Sequence, residues 1–276
     1  MIKTFAGIPL DRPLIMGVVN ATPDSFSDGG EAYAFEDAMA RGLKMMAEGA
    51  DIIDVGGEST RPGAAPVSIE EELRRTVPVV RRLSEAGACV SIDTRHALVM
   101  EEALAAGAEI INNVTALTGD ARSMDVAASV DAPIVLMHMQ GEPGTMQSAP
   151  VYEDAPKEVF DHLTARVQTC EAAGIERSRL ALDPGIGFGK TVAHNLQILN
   201  HLDMYERLGL PLVLGVSRKS FIGKIVGEED AQKRLPGSLA AALWGVSQGV
   251  GIVRVHDVAE TVQALSIWRA IGGCHL

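Results

Sequence analysis

The chain is 276 residues long, and hydrophobic residues make up 47% of it, enough for one large core in a single domain over residues 1–276. Acidic residues outnumber basic ones by 36 to 24, which gives a net charge of −12. Because no basic run offsets this charge, the composition argues against nucleic acid or an anionic membrane as the main partner.

Three widely spaced cysteines, none in a C-x-x-C pair, predict neither a disulfide framework nor a zinc site. Residues 235–253 carry no charge, but their proline, glycines and glutamine predict helix, turn and strand rather than a membrane span. The first residues show no signal-peptide pattern. A reducing cytoplasm is therefore the expected location.

In chain order, residues 1–13 hold two short apolar stretches around Gly7, which predict a small hairpin. Apolar runs of strand length follow, and each one stops at a polar cluster. The runs are residues 14–19, 52–53, 90–92, 110–111, 134–136, 180–182, 212–215 and 252–255.

Apolar residues spaced three or four apart lie between these runs and predict helices, most clearly over residues 35–50, 159–170 and 258–268. Strand and helix therefore alternate along the chain.

Ser68 and Glu71 stand where a helix would begin, and their spacing predicts a capping box. The spacings Glu70 to Arg74 and Glu71 to Arg75 suit ion pairs along the same helix. Pro78 lies inside this segment and removes a backbone hydrogen bond, which predicts a break near residue 77.

Near-continuous apolar strands are typical of a parallel sheet that is covered on both faces. Eight strand–helix units in 276 residues predict a closed (β/α)8 TIM barrel, a fold of about 250 residues, with the hairpin on its floor. A doubly wound open sheet is the alternative. The barrel explains more, because its active site is built from the loops that follow the strands, where the polar clusters fall.

Asp93, Asn112 and Asp183 follow three of the strands, and Lys219 follows a fourth. Two carboxylates and an amide suit an aminopyrimidine, whose parallel N–H groups match a carboxylate. Hydrogen bonds to charged groups contribute about 1.5 to 3 kcal/mol each, so together they would select such a ring. Alternatively, each carboxylate only caps a helix, or Lys219 forms a Schiff base. The joint placement favours a binding site.

Arg254 and His256 alternate with Val255 and therefore face the same way at the end of the last strand. Loops after the last two strands of such barrels often bind phosphate, which predicts an anion site here. Alternatively, His256 only supports its neighbours. The other six histidines, His138 included, are expected to be supporting residues or simply exposed at the surface. The free N–H groups of a helical turn beginning near Ser220 predict a second anion site, for example for a carboxylate.

Residues 20–30 and 56–64 are rich in Gly, Pro, Ser and Asp, a composition typical of mobile loops. Such loops can close over a reaction and expel water. The alternative is two ordinary surface loops.

The chain carries seven segments that resemble, in order, the motifs of the dihydropteroate synthase family, over residues 14–271: NATPDSFSDGG, GGESTRPGA, SIDT, MHMQGEPGTMQ, DPGIGFGK, SRKSFIG and RVHD. The family condenses (7,8-dihydropterin-6-yl)methyl diphosphate with 4-aminobenzoate to give 7,8-dihydropteroate and diphosphate in folate biosynthesis. It is the target of sulfonamides. The resemblance implies a transferase that uses Mg²⁺ and forms homodimers through its last helices, where Trp244 and Trp268 lie. Core packing explains the two tryptophans equally well.

Residue by residue, the resemblance implies roles for most of the polar clusters. The pterin would be held by Asp93, Asn112, Asp183 and Lys219, between Met137 and Phe188. Asn20 would ligate Mg²⁺. The diphosphate would be held by Thr60, Arg61, Arg254 and His256, and the 4-aminobenzoate by Phe26, Pro62, Lys219 and Ser220.

The family implies an SN1-like reaction, in which an electron-rich pterin supports a carbocation and Asp93 and Asp183 favour it electrostatically. Asn113 departs from the family, which commonly has Asp there, and this change would alter pterin affinity or local hydrogen bonding. Ala21 replaces a larger aliphatic residue and would affect loop packing only. Two other functions stay open, a pterin-binding methyltransferase domain that serves a corrinoid partner and a non-catalytic ligand-binding barrel.

Overall fold

The computed structural model describes residues 3–21, 30–58, 67–142 and 144–273. An antiparallel pair, β1 (Thr4–Phe5) and β2 (Ile8–Pro9), precedes an eight-stranded parallel sheet. The sheet strands are β3 (Leu14–Asn20), β4 (Ile52–Gly56), β5 (Val90–Asp93), β6 (Ile110–Asn113), β7 (Ile134–Met137), β8 (Leu180–Asp183), β9 (Val213–Gly215) and β10 (Ile252–Val255).

The strands follow the spatial order β8-β7-β6-β5-β4-β3-β10-β9. A parallel bridge between Leu182 and Leu212 links the two outer strands, so the sheet closes on itself. The predicted TIM barrel is therefore confirmed, and the alternative of an open sheet is wrong.

Helices connect successive strands of the barrel and surround it. They are α1 (Gly30–Glu48), α2 (Ile69–Glu85), α3 (Ala97–Ala105), α4 (Ser123–Ser129), α5 (Ala155–Ala172), α6 (Val192–Leu199), α7 (Ser220–Val226), α8 (Leu235–Ser247) and α9 (Val258–Gly273). Short 3-10 segments lie at Arg177–Arg179, Leu202–Leu208 and Ala231–Arg234. No described helix has the length and apolar character needed to cross a membrane.

Successive side chains of a strand point to opposite faces, and this alternation divides the apolar residues into two groups. One set faces outward and packs against the helices, as Ile53 and Val55 of β4 do. The other set faces into the barrel and fills its lower half: Leu14, Met16, Ile52, Ile110, Val135, Ala181, Val213 and Ile252. On several strands, the next inward-facing position after these apolar residues carries a polar side chain.

The N-terminal hairpin closes the barrel floor, as predicted. Ala6 and Gly7, at φ 49° and 74°, occupy the left-handed region that a tight two-residue turn requires. Phe5 is buried and packs into the inward-facing apolar cluster. The described side chains therefore fill the lower end of the barrel, and the space inside the barrel for a ligand lies toward the upper end.

Helix α2 confirms the predicted start but not the predicted break. The Ser68 hydroxyl accepts from the Glu71 N–H at 3.2 Å, while the Glu71 carboxylate pairs with Arg74 and Arg75. The helix continues through Pro78 to Glu85, so the expectation of a break near residue 77 is wrong. Pro78 lies on the exposed face, where water can satisfy the carbonyl that loses its partner.

Candidate active site

Charged and amide side chains line the inner face of the barrel one layer above the apolar floor. We call the following six residues the polar ring: Asp54, Asp93, Asn112, Asp183, Lys219 and Arg254. The first four and the last lie on inward-facing strand positions, and Lys219 is the N-cap of α7. The register brings Asp93 beside Asn112 on adjacent strands. The structure therefore brings these residues from separate strand ends into one layer of the barrel.

Arg254 joins two carboxylates of the ring. Its Nε donates to Asp54 Oδ2 at 2.6 Å, and its second terminal nitrogen donates to Asp93 Oδ2 at 2.7 Å. Asn112 Nδ2 donates to the same Asp54 oxygen at 3.0 Å. Asp54 is fully buried, so its charge is stabilised by these two donors rather than by water.

Sequence reasoning missed Asp54 as a site residue. It lies inside β4, two residues after the inward-facing Ile52, and its other oxygen, Oδ1, has no hydrogen-bond partner within the described part of the chain. The alternation of inward-facing and outward-facing residues along β4 could have identified Asp54. A carboxylate on the inward face of a barrel strand must be paired by another ring residue.

Asp183 and Lys219 lie on the opposite side of the ring. Asp183 Oδ1 accepts from the Gly185 N–H at 2.7 Å. The Lys219 ammonium donates to the Ile186 carbonyl and lies 4.5 Å from the centre of the Phe188 ring. Lys219 therefore contacts the turn that follows β8, and its charge lies against an aromatic face.

The ring combines three carboxylates with two cations, and burial shifts their pKa values. Burial raises the pKa of Asp93 to about 7; the charge of Arg254 opposes this rise, and those of Asp54, Glu72 and Asp183 add to it. Burial likewise raises the pKa of Asp183, against the charge of Lys219.

The pKa values of the two cations in the ring shift in opposite directions. Burial lowers the pKa of Lys219 to about 8, although the charge of Asp183 opposes the shift. Burial also acts to lower the pKa of Arg254, but the charges of Asp54 and Asp93 outweigh it and leave the pKa above its ordinary value. Such perturbed groups in one cluster are typical of a functional site.

Beside the ring, the loops after β9 and β10 are tied together. Ser217 Oγ accepts from the His256 backbone N–H at 3.1 Å and lies 3.0 Å from the ring Nδ1 of the same residue. Arg218, at φ 59°, makes a double ion pair with Asp257. His256 is thus held by its neighbour, while its predicted contact with an anion stays a prediction.

The remaining predicted residues fall in different places. Met137 is the inward-facing end of β7 and Phe188 is half-buried in the turn after β8. Asn20 ends β3, half-buried, and Ser220 is the exposed first residue of α7. The predictions for Phe26, Thr60, Arg61 and Pro62, and for most of both glycine-rich loops, fall outside the described residues.

Asn113 faces away from the polar ring and anchors the loop after β6. Its Oδ1 accepts from the N–H groups of Thr115 and Leu117 and from the Thr115 hydroxyl, at 2.8 to 3.1 Å. Its Nδ2 donates to the Thr94 carbonyl at 2.9 Å. The Asn113 side chain therefore serves local hydrogen bonding, and an effect of this departure on pterin affinity stays a prediction. Ala21, the other departure, is buried and donates its N–H to the Gly56 carbonyl.

This geometry predicts an order of stabilities at position 113. Asn113→Ala removes all the hydrogen bonds of the side chain and should lower the free energy of unfolding by about 2 to 4 kcal/mol, whereas Asn113→Asp keeps the acceptor bonds and should cost about half as much. Urea denaturation of the three proteins measures both values. Equal stability of the alanine and aspartate variants would contradict the anchoring role.

Carboxylates and an amide around the mouth of a closed barrel have the chemistry that suits a flat, donor-rich heterocycle. The family described as pterin binding enzyme matches residues 16–256. The class of the protein is therefore that of the pterin-binding barrels.

Individual relatives narrow this class. The dihydropteroate synthase of Neisseria meningitidis serogroup C is 50% identical over 268 residues, which cover 96% of this chain and 95% of the relative. Structures of Xanthomonas albilineans dihydropteroate synthase are similar throughout. The one with 4-aminobenzoic acid has a TM-score of 0.91 at 48% identity, covering 97% of each chain, and the complex with 7,8-dihydropteroate has a TM-score of 0.88 at 45% identity, covering 96% of each chain.

The chain belongs to the dihydropteroate synthase family. It is a transferase that condenses (7,8-dihydropterin-6-yl)methyl diphosphate with 4-aminobenzoate. The corrinoid methyltransferase and the non-catalytic barrel receive no support from these relatives.

Proposed function

We propose that the polar ring binds the pterin of the diphosphate substrate and that 4-aminobenzoate displaces diphosphate at the exocyclic carbon just above the ring. The observation that carries this proposal is the convergence of three carboxylates, one amide and two cations at the upper end of a barrel whose floor is filled. The relatives that bind 4-aminobenzoic acid and 7,8-dihydropteroate support it.

Two ring residues suit the edge of the pterin. The Nδ2 of Asn112 is engaged by Asp54, which leaves its Oδ1 to accept a pterin N–H. One oxygen of Asp183 accepts from Gly185, and the other is the acceptor for the aminopyrimidine edge. Lys219 is the donor for an acceptor atom of the pterin, and Phe188 beside it is the apolar wall.

The diphosphate would lie toward the end of β10, near His256, with Thr60 and Arg61 as further contacts. Asn20 is the candidate Mg²⁺ ligand, because its amide oxygen is the hard donor that Mg²⁺ prefers. Mg²⁺ commonly keeps waters and binds through few protein ligands plus substrate phosphates, and no cluster of three or more His, Cys, Asp or Glu suited to a metal occurs among the described residues. When bound, Mg²⁺ neutralises charge on the leaving oxygens.

In the reaction, the bond from the exocyclic carbon to the diphosphate oxygen breaks and a bond to the amine nitrogen forms. Diphosphate leaves with the electron pair, and the amine proton is released with it. The pterin delocalises the positive charge that develops at the carbon. Asp93 and Asp183 stabilise this charge because they are fixed beside it and need no reorganisation. The chain supplies orientation and charge, and no covalent enzyme intermediate is required.

The 4-aminobenzoate would lie nearer the rim of the barrel, beside Lys219 and Ser220 at the start of α7. Sulfonamides resemble 4-aminobenzoate in shape and charge, so we expect them to inhibit competitively against it. Initial rates at several concentrations of both compounds measure this competition. Inhibition that does not change with the concentration of 4-aminobenzoate would contradict the proposed pocket for 4-aminobenzoate at this position.

A direct assay tests the proposed function. The purified chain is incubated with the pterin diphosphate and Mg²⁺, and diphosphate release is measured with and without 4-aminobenzoate. We expect release together with dihydropteroate only when both substrates are present. Tight pterin binding without diphosphate release would contradict the proposal.

The shifted pKa values predict a narrow pH optimum for kcat/KM. Asp93, with a pKa of about 7, must lose its proton to favour the developing cation, so activity should rise as the pH passes this value. Lys219, with a pKa of about 8, must keep its proton, so activity should fall above that pH. Rate measurements from pH 5.5 to 9.5 test the profile, and Asp93→Asn should abolish its acidic limb. A flat profile between about pH 6 and 9 would contradict these assignments.

We also infer that the whole chain acts as one domain and forms a homodimer through α9, where Ile267 and Ile271 expose 60% and 71% of their surface and Trp268 is partly exposed. The free thiols of Cys89 and Cys170 fit a reducing cytoplasm. Sedimentation equilibrium gives the mass, and a monomer at micromolar concentration would contradict the dimer.

A further inference from the structure

We propose that Lys190 is a positioning residue for the pterin pocket, whose ammonium holds the turn after β8 in the form that presents Phe188 and the Ile186 carbonyl to Lys219. This inference rests on the proposed role of the polar ring in pterin binding. Lys190 ends the segment DPGIGFGK, and none of the roles described above uses it.

Lys190 is only 3% exposed, and its ammonium lies among acceptors. It donates to the carbonyls of Gly185 and Phe188, each at 2.9 Å, and lies 2.9 Å from the ring Nδ1 of His138 and 3.3 Å from the carbonyl of the same residue. An ammonium has three hydrogens and no acceptor, so this arrangement uses all of them.

The partner histidine must be neutral for this arrangement. Burial and the charge of Lys190 lower the pKa of His138 to about 2, so its ring accepts a hydrogen bond through Nδ1. Burial also lowers the pKa of Lys190, while the surrounding acceptors favour its charged form. His138 was expected from the sequence to be a supporting or surface residue, and it is buried in a supporting position.

Carbonyl groups converge here because two loops approach each other by their backbones. A Cβ added at Gly185 would lie 1.8 Å from the His138 carbonyl oxygen, and one at Gly189 would lie 2.3 Å from the Gln140 carbonyl oxygen. Gly185 and Gly189 also have φ of 67° and 60°, which favour glycine. The carbonyl oxygens of His138, Gly185 and Phe188 converge within 3.3 Å of the Lys190 ammonium. Buried acceptors gathered around one point need a donor, and Lys190 is that donor.

Every carbonyl from residue 185 to residue 189 has a side-chain donor. Lys190 serves those of Gly185 and Phe188, and Lys219 serves that of Ile186 between them; the other donors are Gln147 to Gly187 at 2.6 Å and Tyr152 to Gly189 at 2.9 Å. One buried lysine thus fixes the peptide groups on both sides of the carbonyl that Lys219 contacts. Without it, the turn can rotate these groups toward water, and the Phe188 ring moves with them.

The test compares Lys190→Met, which keeps the length but has no donor, with Lys190→Gln, which keeps an N–H₂ donor. Lys157→Met is the control, because the Lys157 side chain is 66% exposed and pairs with Asp161 at the surface. Binding of 6-hydroxymethyl-7,8-dihydropterin and of inorganic diphosphate with Mg²⁺ is measured separately by calorimetry.

We expect Lys190→Met to weaken pterin binding about tenfold or more and Lys190→Gln to weaken it less, while diphosphate binding stays within about twofold. The control should bind both ligands as the wild type does. A folded Lys190→Met that binds the pterin normally would overturn the proposal, as would loss of both affinities in equal measure. Failure of both Lys190 variants to fold would also overturn it, because Lys190 would then serve the fold rather than the pocket.

Lys219→Ala in the same binding assay separates the two levels of inference. If Lys219→Ala binds the pterin normally, the proposed pterin site itself is wrong. If Lys219→Ala loses pterin binding while both Lys190 variants retain it, only the role of Lys190 is overturned.

Discussion

Replacing Arg254 by alanine is expected to lower kcat/KM for the pterin diphosphate by about 10²- to 10³-fold, the effect typical of removing one preorganised charged donor. Arg254 links Asp54 and Asp93 at 2.6 and 2.7 Å. Its loss removes the cation that, in the proposed function, lies near the leaving group, and it leaves the buried Asp54 and the half-buried Asp93 without their shared partner. Stability should therefore fall as well, by about 3 to 5 kcal/mol. Steady-state kinetics and urea denaturation measure the two effects.

A double variant separates activity from stability. Arg254→Ala with Asp54→Asn removes one of the two carboxylates that lose their partner, so it should recover part of the stability. It should not recover the rate, because the cation is still absent. An unchanged kcat/KM in Arg254→Ala would contradict its part in catalysis, and recovery of the rate in the double variant would assign Arg254 to the fold alone.

Lys219→Ala is expected to have a comparable effect on kcat/KM, about 10²- to 10³-fold, with a larger share in the KM for the pterin diphosphate. Lys219 offsets the charge of Asp183 and lies 4.5 Å from the centre of the Phe188 ring. Asp183 keeps the hydrogen bond from the Gly185 N–H but loses the nearby positive charge, so the carboxylate should bind a proton more readily and bind the aminopyrimidine less well. Product formation under initial-rate conditions measures the loss.

Lys224→Ala is the matched control for this variant. Lys224 lies on the same short helix, α7, but is exposed. It should retain full activity. A Lys219→Ala enzyme with unchanged kcat and KM would show that the ammonium is dispensable, and the pterin site would then have to be sought without it.

The fold could be predicted because two signals agree along the chain. Each strand is an apolar run that ends in a polar residue, as in β5 (Val90–Asp93) and β8 (Leu180–Asp183), and the barrel places all such ends at one mouth. The prediction of a helix break at Pro78 was wrong because local backbone rules do not say which face of a helix is exposed to solvent.

The candidate site could be predicted in part for the same reason. Asp93, Asn112 and Asp183 lie at strand ends, where the sequence pattern predicts site residues. Asp54 lies inside a strand, and predicting it requires following the alternation of inward-facing residues through β4. Contacts between loops far apart in sequence, such as Lys190 with His138, leave no periodic pattern. They depend on backbone geometry that only the folded chain defines.

The hydrophobic plug that Phe5 completes at the base of the barrel limits how molecules can enter and leave. In the proposed arrangement, both substrates and both products pass through the upper opening of the barrel. The pterin lies deepest in the proposed arrangement, so it has to arrive before 4-aminobenzoate and depart after diphosphate. Substrates would then bind and products leave in a fixed order. A molecule bound in the outer 4-aminobenzoate position would prevent release of the pterin bound beneath it.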